Sequence, residues 1–261
     1  MQVYLNVLGF NIPTYGMMIV SGVLLANLLA MYILKKTHLD YNDFLILECF
    51  GILGGCFGAK ILYLLVSFRY IDWSRITEPL YLNSLIQGGF VFYGGLIGGL
   101  LAVYAAGRLY RIPVGLYIRK CIFLLPFVHA FGRIGCFMAG CCYGIPYKGF
   151  GAVVFPKHCF APAGISLFPV QLVEAAILLL LSTFLLIQQW RGNSDYLVET
   201  YLIAYGLVRF FLEFFRYDML RGKALILSTS QWISLLMISL GIGAILYKRL
   251  KKSAIPVRKN I

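Results

Sequence analysis

The chain is 261 residues long, 61% hydrophobic, 16% aromatic and only 13% charged. One soluble core of that length has no room for so much apolar surface, whereas several membrane spans would use it, so a water-soluble globular enzyme is excluded. The net charge of +13 does not indicate a nucleic-acid partner, because the Lys and Arg residues fall mostly in short loops and the tail, where they act as topology signals. The expected fold class is all-α: a polytopic membrane helical bundle of about seven transmembrane helices. It is read as one integral membrane domain over 1–261, with a small exterior cap over 143–169.

In chain order, residues 1–34 hold no Lys or Arg. The positively charged start of a cleaved leader is therefore missing, and the amino terminus is expected outside. A first span over about 12–34 stops at Lys35 and Lys36. A second, about 44–68, carries Gly51, Gly54, Gly55 and Gly58, which make overlapping small-xxx-small faces for close helix packing. The segment 69–87, with Asp72, Trp73 and Pro79, reads as interfacial and exterior. Span three, about 88–109, opens with Gly88, Gly89, Gly94, Gly95, Gly98 and Gly99, so two further GxxxG pairs fall on it. Tyr93 sits among these glycines, either as a site hydroxyl or as an ordinary interfacial aromatic.

Span four, about 116–137, opens on Arg119 and Lys120, which place its start inside. The turn formers of 143–169 make the cap, too short for a second core. Span five covers about 170–190, the turn 191–195 lies inside, span six runs about 197–215, and span seven, about 230–246, ends in Lys248-Arg249-Leu250-Lys251-Lys252. On this topology Lys35, Lys36, Arg108, Arg111, Arg119, Lys120, Arg191, Lys248, Arg249, Lys251, Lys252, Arg258 and Lys259 are inside. Arg69, Arg75, Lys148, Lys157, Arg216, Arg221 and Lys223 are outside. The bias puts the amino terminus out and the carboxyl terminus in. Lys60, Arg133 and Arg209 are left at membrane depth.

Those buried charges are the candidates for function. Arg at the centre of a span costs about 2.5–3.5 kcal/mol on insertion scales, so it should face the bundle interior or a wet cavity. Arg133 lies in the stretch 131–144, among Gly132, Gly135, Gly140 and Gly144, where glycine lets backbone or ligand approach closely. His129, Arg133 and Cys136 share one helical face, as do Tyr205, Arg209, Glu213 and Arg216. A structural Arg209–Glu213 pair is the plain alternative. Spans four and six both run outward, so Arg133 and Arg209 are expected to meet near the outer leaflet, where paired guanidinium groups suit a phosphate such as a lipid headgroup. Gln171 and Glu174, at i and i+3 on span five, would orient the arginines or a substrate, or make ordinary interhelical hydrogen bonds.

Five segments taken together carry a resemblance: Tyr15-Gly16; Gly88-Gly89 through Tyr93-Gly94-Gly95-Leu96-Ile97-Gly98; Gly132-Arg133-Ile134-Gly135; Pro169-Val170-Gln171-Leu172-Val173-Glu174; and Arg209-Phe210-Phe211-Leu212-Glu213. In order and spacing, along nearly the whole chain, this set resembles the prolipoprotein diacylglyceryl transferase family. The resemblance implies a seven-span enzyme of the bacterial inner membrane. Its implied reaction moves the diacylglyceryl group of phosphatidylglycerol onto the lipobox cysteine of a preprolipoprotein signal peptide, forming a thioether and releasing glycerol phosphate, with no cofactor and no metal. Arg133 and Arg209 match the family's essential arginines, while Tyr15, Gly144, Glu174 and Glu213 fall on its motif positions. Gln171 joins them in substrate binding.

Three positions depart from the family. Tyr93 stands where His, a candidate general base, is common; Cys136 replaces a common Asn; and Cys141 replaces a common acidic residue. The thiol to be alkylated has an ordinary pKa near 8.5, and the expectation is that Arg133 and Arg209 lower it, with Tyr93 as a hydrogen-bond relay. Cys136, Cys141, Cys142, Cys159 and His158 raise metal or disulfide chemistry, but there is no CxxC and the spacing fits no common zinc pattern. A membrane thiol oxidoreductase and a lipid-binding or transport paralogue are the rival functions.

Overall fold

A computed structural model describes residues 2–7, 9–217, 223–224 and 227–253. Arg221, Arg258 and Lys259, which entered the charge count, lie outside the described residues. The chain opens with an antiparallel hairpin, β1 (Tyr4–Val7) and β2 (Phe10–Pro13). The helices α1 (Thr14–Lys36), α2 (Tyr41–Ser67), α3 (Pro79–Gln87), α4 (Phe92–Leu109), α5 (Val114–Cys121) and α6 (Leu124–Ala139) follow. A second small hairpin, β3 (Val153–Val154) with β4 (Ser166–Leu167), precedes α7 (Val170–Trp190) and α8 (Leu197–Leu212). A third, β5 (Lys223–Ala224) with β6 (Leu227–Ser228), leads into α9 (Thr229–Ser253).

Helices α1, α2, α4, α7 and α9 are each long and apolar enough to cross a membrane, and α5 with α6 adds a sixth span if that bent pair is counted as one. The chain is therefore a multi-pass helical membrane protein. The break at 122–123 has a covalent cause four residues on: Pro126 offers no N–H to the Ile122 carbonyl, and its ring clashes with that carbonyl in a straight helix. The Ile122 carbonyl accepts instead from the Leu125 amide at 3.1 Å, and the Phe123 carbonyl accepts from buried Ser182 Oγ at 2.8 Å. Span six is shorter than the sequence suggests. Its α-helix has 16 residues, about 24 Å at 1.5 Å per residue against a hydrocarbon core of about 30 Å.

Two compact units are described, 34–117 and the remainder, 1–33 with 118–261; the divisions fall inside α1 and α5. In the 34–117 unit, Asp40 caps α2 by accepting from Asn42 N at 2.8 Å. The Tyr117 hydroxyl donates to the Asp40 carbonyl at 2.9 Å. The glycines of α2 and α4 meet face to face. A Cβ on Gly58 would strike the Gly94 carbonyl oxygen, and one on Gly54 would come within 2.7 Å of the Gly98 carbonyl oxygen. Gly89, with φ at +67°, has the Tyr63 ring where a Cβ would stand.

Lys60, a charge that the sequence leaves at membrane depth, has a local task in this unit. Its ammonium donates to the carbonyls of Leu85, Ile86 and Gly88 at the end of α3. It also lies 5.1 and 5.0 Å from the ring centroids of Tyr63 and Phe90. These carbonyls belong to the end of a helix, where no further turn supplies donors. Lys60→Met is therefore expected to lower stability by about 1–3 kcal/mol, the desolvation penalty of orphaned polar groups, seen as a lower thermal unfolding midpoint in detergent. An unchanged midpoint would mean that water replaces the ammonium without loss.

In the other unit, Ala130 of α6 packs with Ala175 and Leu178 of α7, and Tyr205 of α8 leans on the same cluster. Helices α8 and α9 approach closely at two glycines. A Cβ on Gly206 would come within 3.0 Å of the Ser234 carbonyl oxygen, and one on Gly241 within 3.1 Å of that of Glu199. At the start of α8, buried Glu199 pairs with Lys248 of α9 at 2.6 Å. The segment between α6 and α7 has little regular structure, yet it buries a small cluster of its own. Phe155, Ala161 and Leu167 form it, with Phe137, Tyr143, Val153 and Cys159 around them.

Candidate functional site

The carboxylate at the middle of the site comes from α7. Glu174 is 1% exposed, and its Oε1 lies 3.0 Å from Arg133 Nη2 and 3.5 Å from the Tyr205 hydroxyl. One turn earlier, Gln171 is equally buried and donates through Nε2 to the Cys141 carbonyl at 2.8 Å. The i, i+3 pair on span five thus does two different things: Glu174 holds an arginine, and Gln171 holds the turn that follows α6.

Arg209, on α8, uses one amino group twice. Its Nη2 lies 2.6 Å from Glu213 Oε2 and donates to Ser230 Oγ at 2.9 Å. Arg133 also acts electrostatically on Arg209, as do Glu174, Glu213 and Arg216. Two guanidinium groups therefore share one polar neighbourhood, with a carboxylate on each. Both keep a donor in reserve: Arg133 Nε and Arg209 Nη1 are buried with no hydrogen-bond partner among the described residues. Buried N–H groups of a cation are nearly always bonded. Two that are not, in one site, suit the oxygens of a phosphate, for which charge-assisted bonds are strong and directional.

The helical stripe of span six is only partly realised. Tyr205 and Arg209 lie on α8 and Glu213 caps it, but Glu213–Phe215 tightens into a 3-10 turn, and Arg216 is extended. Backbone pairing draws Arg216 off the helix axis. Gly144 and Arg216 form an antiparallel bridge, and the Ile145 amide donates to the Phe215 carbonyl at 3.0 Å. Gly144 permits this because a Cβ there would strike the Phe168 carbonyl oxygen and come within 3.0 Å of the Phe215 carbonyl oxygen. Its visible role is to join three backbone segments.

Tyr15 is the second residue of α1. It packs on Gly135, where a Cβ would approach the ring at 3.1 Å and the Tyr15 Cα at 3.2 Å. Arg133, Cys136, Cys141 and Cys142 all act electrostatically on its hydroxyl. His129, on the Arg133 face, has its ring edge on Tyr205 at 5.2 Å between centroids. Tyr93 belongs to the 34–117 unit. It lies on the first turn of α4, 36% exposed, with its ring edge-to-face with that of Phe92.

Reading the sequence misses Ser230, and it raises metal or disulfide chemistry for the cysteines only to set it aside on their spacing. Ser230 is a polar residue in the first turn of an apolar helix, which is the signal that could have found it. Cys136, Cys141 and Cys142 place their sulfur atoms within 4.8 Å of one another. Hydrogen bonds from Cys136 and Cys141 hold the Cys142 thiol below its ordinary value, and Arg216 and Arg133 act in the same direction.

Residues 2–247 match the sequence family described as prolipoprotein diacylglyceryl transferase. Relatives named phosphatidylglycerol–prolipoprotein diacylglyceryl transferase include one from Clostridium tetani, 37% identical over 251 residues, which covers 96% of this chain and 98% of that protein. Another, from Idiomarina loihiensis, is 34% identical over 253 residues, covering 93% and 90%. A protein of Clostridium perfringens with the same name followed by the numeral 2 is 33% identical over 253 residues, covering 95% and 94%.

Proposed function

Because the chain belongs to the prolipoprotein diacylglyceryl transferase family, we propose that it moves the diacylglyceryl group of phosphatidylglycerol onto the lipobox cysteine of a preprolipoprotein signal peptide. The enzyme sits in the bacterial inner membrane, with its amino terminus outside and its carboxyl terminus in the cytoplasm. In the reaction the cysteine thiolate attacks the diacylglyceryl carbon that bears the phosphate. A C–S bond forms, the C–O bond to phosphate breaks, and the electron pair leaves with glycerol phosphate.

The observation that carries this reading is the pair of buried guanidinium groups, each with an N–H that has no partner among the described residues. In a dry site such donors stabilise charge as it gathers on the departing phosphate, without reorganising at the moment of reaction. Arg133 and Arg209 take that role, Glu174 and Glu213 hold them in place, and Tyr15, Gln171 and Gly144 shape the site around the substrates. The same positive field favours the thiolate of the incoming cysteine over its thiol.

The deciding experiment incubates the purified protein with phosphatidylglycerol vesicles and a lipobox peptide. It looks by mass spectrometry for the diacylglyceryl thioether and for released glycerol phosphate. Lipid binding without product would overturn the transferase reading in favour of a lipid-binding paralogue. In the same assay Tyr93→Phe is expected to slow transfer by about tenfold, the loss of one net hydrogen bond of about 1.4 kcal/mol. Unchanged turnover would remove Tyr93 from thiol activation.

A further inference from the structure

Spacing alone separates Cys136, Cys141 and Cys142 from metal chemistry; the fold brings them together. Helix α6 ends at Ala139, and Gly140 follows in the left-handed conformation with φ at +73°. The chain turns back over the helix end, and the Cys141 amide donates to the Cys136 carbonyl at 3.0 Å. Cys142 is itself left-handed, with φ at 55°, a strained conformation for a residue with a Cβ. Gln171 fixes the turn from α7 through the Cys141 carbonyl. The outcome is three sulfur atoms within 4.8 Å of one another, one on buried Cys136 and two on partly buried residues.

That spread fits one ion. Zinc–thiolate bonds of about 2.3 Å in a tetrahedron put sulfurs about 3.8 Å apart, so a metal would need only a small inward movement of the side chains. Three thiolates select soft or borderline ions over Mg2+ and Ca2+. They also leave a negative site after a monovalent or divalent ion binds, and Arg133 and Arg216 are close enough to act on Cys142 and offset that charge. The sulfur of Cys159 stays outside the group, on a residue packed with Phe155, Ala161 and Leu167.

We propose that Cys136, Cys141 and Cys142 form a three-thiolate site for one soft metal ion, Zn2+ or Cu+, with a fourth position open to water or a further thiol. The ion ties the end of α6, one turn beyond Arg133, to the segment that carries Gly144. The site borders Arg133 of the proposed transferase site, but neither measurement below depends on transfer.

The full chain in detergent, reduced and then loaded with Zn2+ or with Co2+ as a spectroscopic probe, should retain one ion per chain after desalting. Co2+ should show the intense near-ultraviolet thiolate charge-transfer band. Both signals should disappear in the Cys136→Ser/Cys141→Ser/Cys142→Ser variant. Alkylation of the unaltered chain covers the case in which that variant does not fold. Zn2+ should protect Cys141 and Cys142 from a maleimide reagent, and removing the ion with a chelator should restore their labelling. Equal labelling of Cys141 and Cys142 in both states overturns the proposal. So does a disulfide within the group together with no metal uptake after reduction, which would assign the cysteines to oxidation instead.

Discussion

Replacing Arg133 with Met is expected to lower diacylglyceryl transfer by about two to three orders of magnitude, the usual loss when one preorganised donor to a developing charge is removed. The single variant also strands Glu174. That carboxylate is 1% exposed and would lose its nearest partner, keeping the Tyr205 hydroxyl 3.5 Å away and the longer-range field of Arg209. Breaking a buried ion pair from one side costs about 3–5 kcal/mol, so lost activity alone would not distinguish a missing phosphate ligand from a damaged fold. The double variant Arg133→Met/Glu174→Gln separates them. With both charges gone, the thermal unfolding midpoint should return most of the way to that of the unaltered protein, while transfer stays at the level of the single variant. A double variant that is both stable and fully active would exclude Arg133 from the chemistry.

Gly94→Val is expected to destabilise the 34–117 unit by about 3 kcal/mol or more, the upper part of the overpacking range. A Cβ at this position meets the Gly58 carbonyl oxygen and, at 2.6 Å, the Cβ of Leu62. The carbonyl is backbone on a facing helix and cannot rotate aside, so α2 and α4 must separate. In lipid, where apolar burial adds little, close helix packing is the main attraction between such helices. Gly55→Ala is the control: the nearest atom to its added Cβ would be the Gly95 carbonyl oxygen at 3.5 Å, an ordinary contact, so its midpoint should stay near that of the unaltered protein. If both variants melt alike, the glycine contact is not what holds the pair. Thermal unfolding followed by tryptophan fluorescence in detergent measures both.

These two cases show what could be read from the chain beforehand. Reading the sequence counts four GxxxG pairs on spans two and three as equals, because periodicity says only that the glycines share faces. Which face carries the tight contact depends on the rotation of each helix about its axis. The structure assigns it to Gly54 and Gly58 with Gly94 and Gly98. Span six likewise reads as one long amphipathic stripe down to Arg216. The helix stops at Leu212 because residues 143–145, distant in sequence, pair with the backbone of 215–217. Local patterns do not contain a long-range bridge. The break in span four was legible in principle, since Pro126 is in the sequence and its missing N–H has a fixed consequence four residues earlier.

By itself the sequence determined the membrane class, the approximate positions of the spans, and the arginines and carboxylates that a bilayer would penalise unless they were used. Hydrophobic runs and buried charge are properties of composition and spacing, and the cost of ignoring them is several kcal/mol per residue. Only the tertiary structure decided which carboxylate holds which arginine, which donors remain free for a ligand, that Lys60 closes a helix end, and that three cysteines with no recognisable spacing share one point. Each of these depends on side chains meeting across helices. Such a meeting is set by the azimuth and offset of packed helices and by a left-handed turn at Gly140, quantities that a one-dimensional pattern does not carry.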